Sequence, residues 1–357
     1  MAFVVSPVLY PSSGSVRFPR RCSAHCARAT NRESATQRQE PAEPAEPRKK
    51  RAPWTDAQLA SLPRRLWPQR GLEDLHVILR RRILLLQAVC GYRANTDSQL
   101  LAYFAVQQWR KRNPTREPER VLELGSGNGL VSILLAKTWL QAHVTLVELQ
   151  ESLAQRGQRN LELNGVANHR AVTIQADIAE WESSVDVQGR MPMYDIVLTN
   201  PPFYALGGVS GRHPPIGLSD EKRVAHFESS AGLTDFLRAM AGAMSHHSLG
   251  FVIQSIDERA RLLDCIALVN DLRVVCVQRV FHSRMSVRAT RVLVMVTLRS
   301  PDAGEPGSEG EREETPPIYL HDHPQDIRYD DAHELWLRDL PGPPWPLEFA
   351  QDALASS

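Results

Sequence analysis

Glu123-Leu124-Gly125-Ser126-Gly127-Asn128-Gly129 sits between Val121 to Leu124, an apolar run that reads as a strand, and Gly129 to Leu140, which reads as a helix. Glycines at such a junction let the backbone turn tightly and come close to a ligand with no Cβ in the way. A dinucleotide fingerprint would place its third glycine at position 130, which is Leu130. The spacing here is Gly-x-Gly-x-Gly with Glu123 two residues ahead. An acid at that point suits a ligand carrying positive charge better than a pyrophosphate, which wants an anion-binding helix terminus.

Outward from this loop the chain alternates. His143 to Glu148, Val172 to Ala176, Tyr194 to Thr199 and Gly250 to Gln254 read as further strands, and a helix runs through Asn164. Regular βα alternation predicts a mainly parallel sheet with helices on both faces. Arg273 to Phe281 and Thr290 to Leu298 have no helix between them and should pair antiparallel. The expectation is an α/β fold with a seven-stranded sheet ending in an antiparallel hairpin. Upstream, Leu72, Leu75, Ile78 and Leu79 recur at helical spacing and Ile83 to Cys90 reads as a core helix, so the lead-in over 53–119 is expected to be helical. The core then spans 120–299, an acidic flexible insert 300–316, and a domain as a whole 53–335. Ile318-Tyr319-Leu320 could add a strand, and 336–357 reads as a loose tail.

Of 357 residues 42% are apolar, somewhat low for a wholly folded chain. That suggests that part of the chain does not fold, and the segment 1–52 reads as unfolded. It has arginines and serines but no acid up to Arg32, the composition of an organelle transit peptide, with its uncharged start favouring a plastid over a mitochondrion. Without import the expectation is the cytoplasm. Pro-Ala-Glu repeats and Arg48 to Arg51 then read as a solvated linker. Cys22 and Cys26 have zinc-like spacing but no second ligand pair, so no metal is expected and the five cysteines read as free thiols. No apolar run reaches the roughly 20 residues of a membrane-spanning helix. The chain is expected to act as a monomer.

Two further positions carry chemistry. Glu148, at the end of the second strand, can accept both hydroxyls of an adenosine ribose. Asn200-Pro201-Pro202-Phe203 follows the fourth strand on the carboxyl edge, where ligands bind in open α/β sheets. The prolines remove two backbone donors. The Asn200 side-chain carbonyl and the Pro201 carbonyl can then each accept one N–H of a planar amine, while Phe203 stacks on its ring. Positioning supplies most of the rate effect, and a base held in a folded loop must first be flipped out.

The glycine loop resembles motif I of class I S-adenosylmethionine-dependent methyltransferases, a Rossmann-like superfamily. That resemblance implies S-adenosylmethionine as cofactor, with Glu123, Gly125, Gly127 and Gly129 at its amino acid end. Glu148 would take its ribose, Asp177 and Ile178 its adenine, and Asn200 would lie beside it. Asn-Pro-Pro-aromatic is shared by adenine N6, guanine N2 and glutamine N5 methyltransferases. Gly91-Tyr92-Arg93-Ala94-Asn95-Thr96-Asp97, Leu100 to Phe104, Arg223 to Glu228 and Arg279 to Ser283 resemble segments of the bacterial tRNA1(Val) adenine-37 N6-methyltransferase family. Phe227 and the shifted His226 depart from that family's pattern.

The resemblance implies RNA, specifically tRNA, as partner, and N6-methylation of an anticodon-loop adenine. From Arg273 to Arg299 the chain has no acid, and Arg279, Arg284 and Arg288, with Arg212 and Tyr204 after the Asn-Pro-Pro motif, are the candidate RNA contacts. An rRNA guanine-N2 or release-factor glutamine-N5 methyltransferase stays open as an alternative, as does a non-catalytic RNA-binding module.

Overall fold

The computed structural model describes residues 54–91, 93–183, 193–202, 204–205, 227–228, 231–269, 271–299, 313–323, 329 and 331–345. The expected transit segment and linker, most of the acidic insert, Tyr92, Phe203, Arg212 and His226 lie outside these residues.

The chain runs α1 (Asp56–Leu59), β1 (Glu73–Ile78), β2 (Ile83–Ala88), α2 (Thr96–Arg112), β3 (Arg120–Leu124), α3 (Leu130–Thr138), β4 (His143–Glu148), α4 (Glu151–Leu163), β5 (Ala171–Gln175), β6 (Tyr194–Thr199), β7 (Tyr204–Ala205) and β8 (Phe227–Glu228). It continues with α5 (Leu233–Ala243), β9 (Met244–Ser255), α6 (Arg259–Leu268), β10 (Leu272–Ser283), β11 (Ala289–Leu298), β12 (Glu313–Glu314), β13 (Ile318–His321) and α7 (Asp331–Asp339). The main sheet has nine strands in the order β12-β10-β11-β9-β6-β3-β4-β5, with β13 also on β10. Taking its seven long strands alone in chain order, the spatial order is 3-2-1-4-5-7-6, and the seventh, β11, is antiparallel to both neighbours.

Helices cover both faces, so successive residues of each strand enter different cores. In β6, Ile196 and Leu198 pack with α2 and α3, while Val197 packs with α5. In β11, Leu293 and Met295 go to the first core and Val292, Val294 and Val296 to the second. Two-sided burial is why these strands read as unbroken apolar runs. Each such side chain contributes roughly 1.5–3 kcal/mol relative to exposure. On β3 the chain first steps to β4 and β5, then returns to β6 on the other side. The resulting switch point lies at the carboxyl ends of β3 and β6.

Two expectations are corrected. The lead-in is not wholly helical: Glu73–Ile78 and Ile83–Ala88 form an antiparallel hairpin, with Glu73 opposite Ala88 and Ile78 opposite Ile83. β2 is buried along its whole length because Ile83 and Leu85 enter the first core while Leu84 and Leu86 enter a third, with Leu66, Leu75 and Leu163. A short apolar run buried on both sides cannot be told from a helix by periodicity. The hairpin turns through Leu79, Arg80 and Arg81, all at positive φ (49°, 54° and 61°), with no glycine or asparagine to announce it. Arg80 is fixed by a bidentate pair with Glu334 of α7, at 3.0 and 2.9 Å.

The expected seven strands and antiparallel hairpin are present, and β12 and β13, the latter at the expected Ile318-Tyr319-Leu320, run parallel to β10 along the outer edge. The stretch after 335 is not loose as far as Trp345. Trp336, Leu337 and Leu340 are buried in the first core, and Trp345 donates its indole N–H to the Leu163 carbonyl at 2.8 Å.

Candidate active site

The loop after β3 is shaped by its glycines. Gly125, Gly127 and Gly129 have φ of 71°, 56° and 82°, a region that costs side-chain-bearing residues free energy. A Cβ on Gly125 would stand 3.0 Å from the Phe236 ring and 3.9 Å from Ile178. The N–H groups of Gly125 and Ser126 both donate to the Val147 carbonyl, at 2.9 and 3.0 Å, which clamps the loop to the end of β4. The peptide at Asn128 is held from behind, where Asn160 of α4 donates to its carbonyl at 2.9 Å.

Glu148 ends β4 with one carboxylate oxygen accepting from Gly127 N at 2.8 Å and the other from Gln150 N at 2.9 Å. Glu148 is thus fixed within reach of the loop, pointing its acceptors at the same space. Asp177 follows β5 and accepts from Ala179 N at 3.0 Å, closing a short turn that seats Ile178 in the core beside Gly125. Ile178 and Phe236 give this space an apolar wall. The expected acids therefore converge on one edge, together with an aromatic residue from α5 that the sequence reading missed. Phe236 lies on the buried face of that helix, and nothing in the spacing of a core phenylalanine marks it as part of a site.

Glu123 faces inward. Its Oε2 accepts from Ser132 N at 3.0 Å and Ser132 Oγ at 2.5 Å, holding the first turn of α3. Only 2% exposed, its carboxyl is pushed up to about 8 by burial, against the Ser132 hydrogen bonds that favour the charged form. At neutral pH it is largely the neutral acid. It supports the loop from beneath, so its contact with a ligand through the carboxylate stays a proposal.

On the other side of the switch point, Thr199 Oγ1 donates to the Leu124 carbonyl at 2.9 Å and ties the ends of β6 and β3 together. Asn200 follows, half-buried, and among the described residues nothing hydrogen-bonds its side chain. Pro201 is buried and Pro202 half-buried. Phe203 lies outside the described residues. Tyr204 is described by its backbone alone, in a two-residue strand where it stands opposite Phe227.

The arginines expected to meet RNA lie along β10 and the turn that follows it. Arg279 is exposed, 6.0 Å from the Phe281 ring centre. Arg284 pairs with Asp322 at 2.7 Å and lies over Tyr319, and Arg288 pairs with Asp257. No cluster of metal-ligating side chains occurs among the described residues.

S-adenosylmethionine fits this space on its own chemistry. The loop exposes backbone where a Cβ at Gly125 would intrude, Glu148 offers acceptors, and Ile178 with Phe236 offers an apolar surface.

Residues 92–206 match a family model described as lysine methyltransferase. The chain is 29% identical over 139 residues to the tRNA1(Val) (adenine(37)-N6)-methyltransferase of Glaesserella parasuis, covering 39% of this chain and 52% of that relative. It is 25% identical over 209 residues to the enzyme of the same name from Shewanella sp. strain MR-4, covering 58% and 79%. The Erwinia tasmaniensis enzyme of that name is 32% identical over 119 residues, covering 33% and 43%. The chain thus spans about half the length of the Glaesserella relative. A solved S-adenosylmethionine-dependent methyltransferase structure from Agrobacterium tumefaciens is 16% identical at a TM-score of 0.40, the match covering 64% of this chain and 71% of that one. A seventh long strand running antiparallel between the fifth and sixth gives the chain the fold of the class I S-adenosylmethionine-dependent methyltransferases, and its sequence is similar to methyltransferases.

Proposed function

We propose that this chain methylates N6 of an adenine in RNA, in the anticodon loop of a tRNA at the position following the anticodon. The observation that carries this is the half-buried Asn200 amide with no partner among the described residues, held on the carboxyl edge by the Thr199–Leu124 tether. When bound, S-adenosylmethionine supplies a methyl group on a positively charged sulfur. Glu148 holds the cofactor's ribose, and Asp177 with Ile178 receives its adenine.

Asn200 Oδ1 and the Pro201 carbonyl accept the two N–H bonds of the exocyclic amine. They orient its lone pair and reduce its conjugation with the ring. No strong base is required, since the proton can leave after transfer, and positioning carries the rate. Arg279, Arg284 and Arg288 hold RNA phosphates without reading sequence.

The names of the Glaesserella and Shewanella relatives support adenine and tRNA as the acceptor class. The lysine methyltransferase description of the model over 92–206 supports a second reading, a protein amine. A lysine amine has no ring conjugation for paired carbonyls to relieve, which favours adenine. The test is incubation with isotopically labelled cofactor, total tRNA, rRNA and protein, followed by mass spectrometry of nucleosides and peptides. Label in N6-methyladenosine of tRNA is expected; label in guanosine, glutamine or lysine alone overturns the proposal.

A further inference from the structure

Gln254 closes the apolar run Gly250 to Gln254 of β9 with a polar side chain. It is fully buried, yet its Nε2 has no hydrogen-bond partner among the described residues. Ser255 N donates to its Oε1 at 2.9 Å, which settles which end of the amide is the oxygen. The unpaired atom is therefore the NH2 donor. Buried donors without a partner destabilise the fold and are rare in native proteins. One that stands beside a ligand site suits an acceptor that arrives with the ligand.

The strand register puts Gln254 beside the Asn-Pro-Pro turn. Thr199, the last residue of β6, pairs with Val252 of the parallel β9. Gln254 lies two residues further on, so its Cα is one strand spacing aside, about 4.8 Å, and about 6.6 Å past the level of Thr199. Asn200 and Pro201 are the two residues that follow Thr199. Phe251 and Ile253 enter the first core and Val252 the second. By the same alternation Gln254 faces the second side, as does Val292, its partner on β11. That is the side of α5 and of Phe236, whose ring walls the space at Gly125.

We infer that Gln254 Nε2 donates a hydrogen bond to the ring nitrogen acceptor next to the target amine, N1 or N7 of adenine. This inference rests on the RNA reading of the preceding subsection and makes Gln254 a residue that selects the methyl acceptor. Asn200 Oδ1 and the Pro201 carbonyl accept from the amine, and Gln254 donates to the atom beside it. Because the Gln254 amide is fully buried, the bond forms only as base entry opens its surroundings. A lysine amine has no neighbouring acceptor and would leave the donor unpaired, and a site with a buried polar group discriminates strongly against such a substrate.

The experiment uses the full chain and anticodon stem–loop RNAs carrying adenosine, 1-deazaadenosine or 7-deazaadenosine at the target position. Each deaza base keeps the amine and loses one of the two acceptors. Wild type is compared with Gln254→Met, which is close in length and lacks the donor. Gln254→Met is expected to lower kcat/KM on adenosine RNA about tenfold, the loss of one hydrogen bond. It should keep calorimetric cofactor affinity within about twofold and melt no lower than wild type, since it removes a buried donor that has no partner. One of the two deaza bases should slow wild type about tenfold and slow Gln254→Met less than about twofold, and which one it is identifies the bonded nitrogen. Equal deaza losses in both proteins, or transfer to adenosine RNA unchanged in Gln254→Met, overturns the inference. If that variant does not fold, Gln254→Leu takes its place, and wild type that is slowed by neither deaza base overturns the inference without any variant. Wild type that transfers methyl to no RNA overturns the RNA reading itself, an outcome read before any variant is compared.

Discussion

Asn160 grips both polar groups of Leu86: its Oδ1 accepts from Leu86 N at 2.7 Å and its Nδ2 donates to Leu86 O at 3.1 Å. One turn along α4, Asn164 does the same for Leu84, at 3.0 and 2.7 Å. Four residues of helix advance about 6 Å and two residues of strand about 6.6 Å. The two side chains therefore keep step with alternate residues of β2 and stand in for a neighbouring strand along its open edge. Asn160 also holds the Asn128 carbonyl, so the same residue joins the N-terminal hairpin to the glycine loop.

Asn160→Ala leaves the buried Leu86 N–H and C=O without partners and releases the loop. The expected loss is about 2–4 kcal/mol of stability, read as a lower denaturant midpoint, with weaker S-adenosylmethionine binding by calorimetry at a temperature where the variant is folded. An unchanged midpoint would refute the structural role assigned to Asn160.

Binding and transfer should separate by residue. Glu148→Ala is expected to weaken cofactor binding by about tenfold or more, through loss of a charge-assisted acceptor. Asn200→Ala should leave that affinity within about twofold while slowing transfer on the order of a hundredfold. Equal losses of binding and turnover in Asn200→Ala would show that Asn200 does not act on the acceptor amine.

The buried acid at Glu123 sets a pH dependence. Its carboxyl, ordinarily near 4.5, is raised to about 8 in the folded chain. The folded state then binds more protons than the unfolded one between these values, so stability is fully present below about 4.5 and is lost as pH rises through about 8. Glu123→Gln keeps a neutral partner for Ser132 and should flatten this part of the melting-temperature profile. Parallel profiles for the two proteins would mean that Glu123 is charged at neutral pH.

Salt should report the phosphate contacts. Each of Arg279→Ala, Arg284→Ala and Arg288→Ala is expected to weaken binding to all RNAs alike. Each should also reduce the slope of log affinity against log salt by about 1. A slope unchanged in all three variants would place the RNA elsewhere on the molecule.

The glycine loop and the residues around Asn200 were legible because turns at strand ends need specific residue types: positive φ at Gly125, Gly127 and Gly129, and a backbone poor in donors at Pro201 and Pro202. The acids at Glu148 and Asp177 were singled out by their places at the ends of the second and third expected strands, which are β4 and β5. The β1–β2 hairpin was not legible, because Leu72, Leu75, Ile78 and Leu79 fit a helical period as well as they fit their strand and turn. Its turn through Leu79, Arg80 and Arg81 depends on Glu334, more than 250 residues away in the chain. The inward role of Glu123 and the wall built by Phe236 likewise depend on which helix lies opposite, and local sequence does not encode that.

The Arg80–Glu334 pair has a consequence for how the molecule is made. α7 also brings His333 against α2, stacked 4.3 Å from Tyr103 and 2.7 Å from Gln99, and lays Trp336 beside it. On a ribosome, α2 emerges more than 200 residues before the helix that covers it. During that interval the nascent chain holds an aromatic face open to water, and the hairpin turn lacks the acid that fixes it. Completion of the N-terminal third thus waits on the synthesis of α7, and a chaperone that shields α2 would act in that interval.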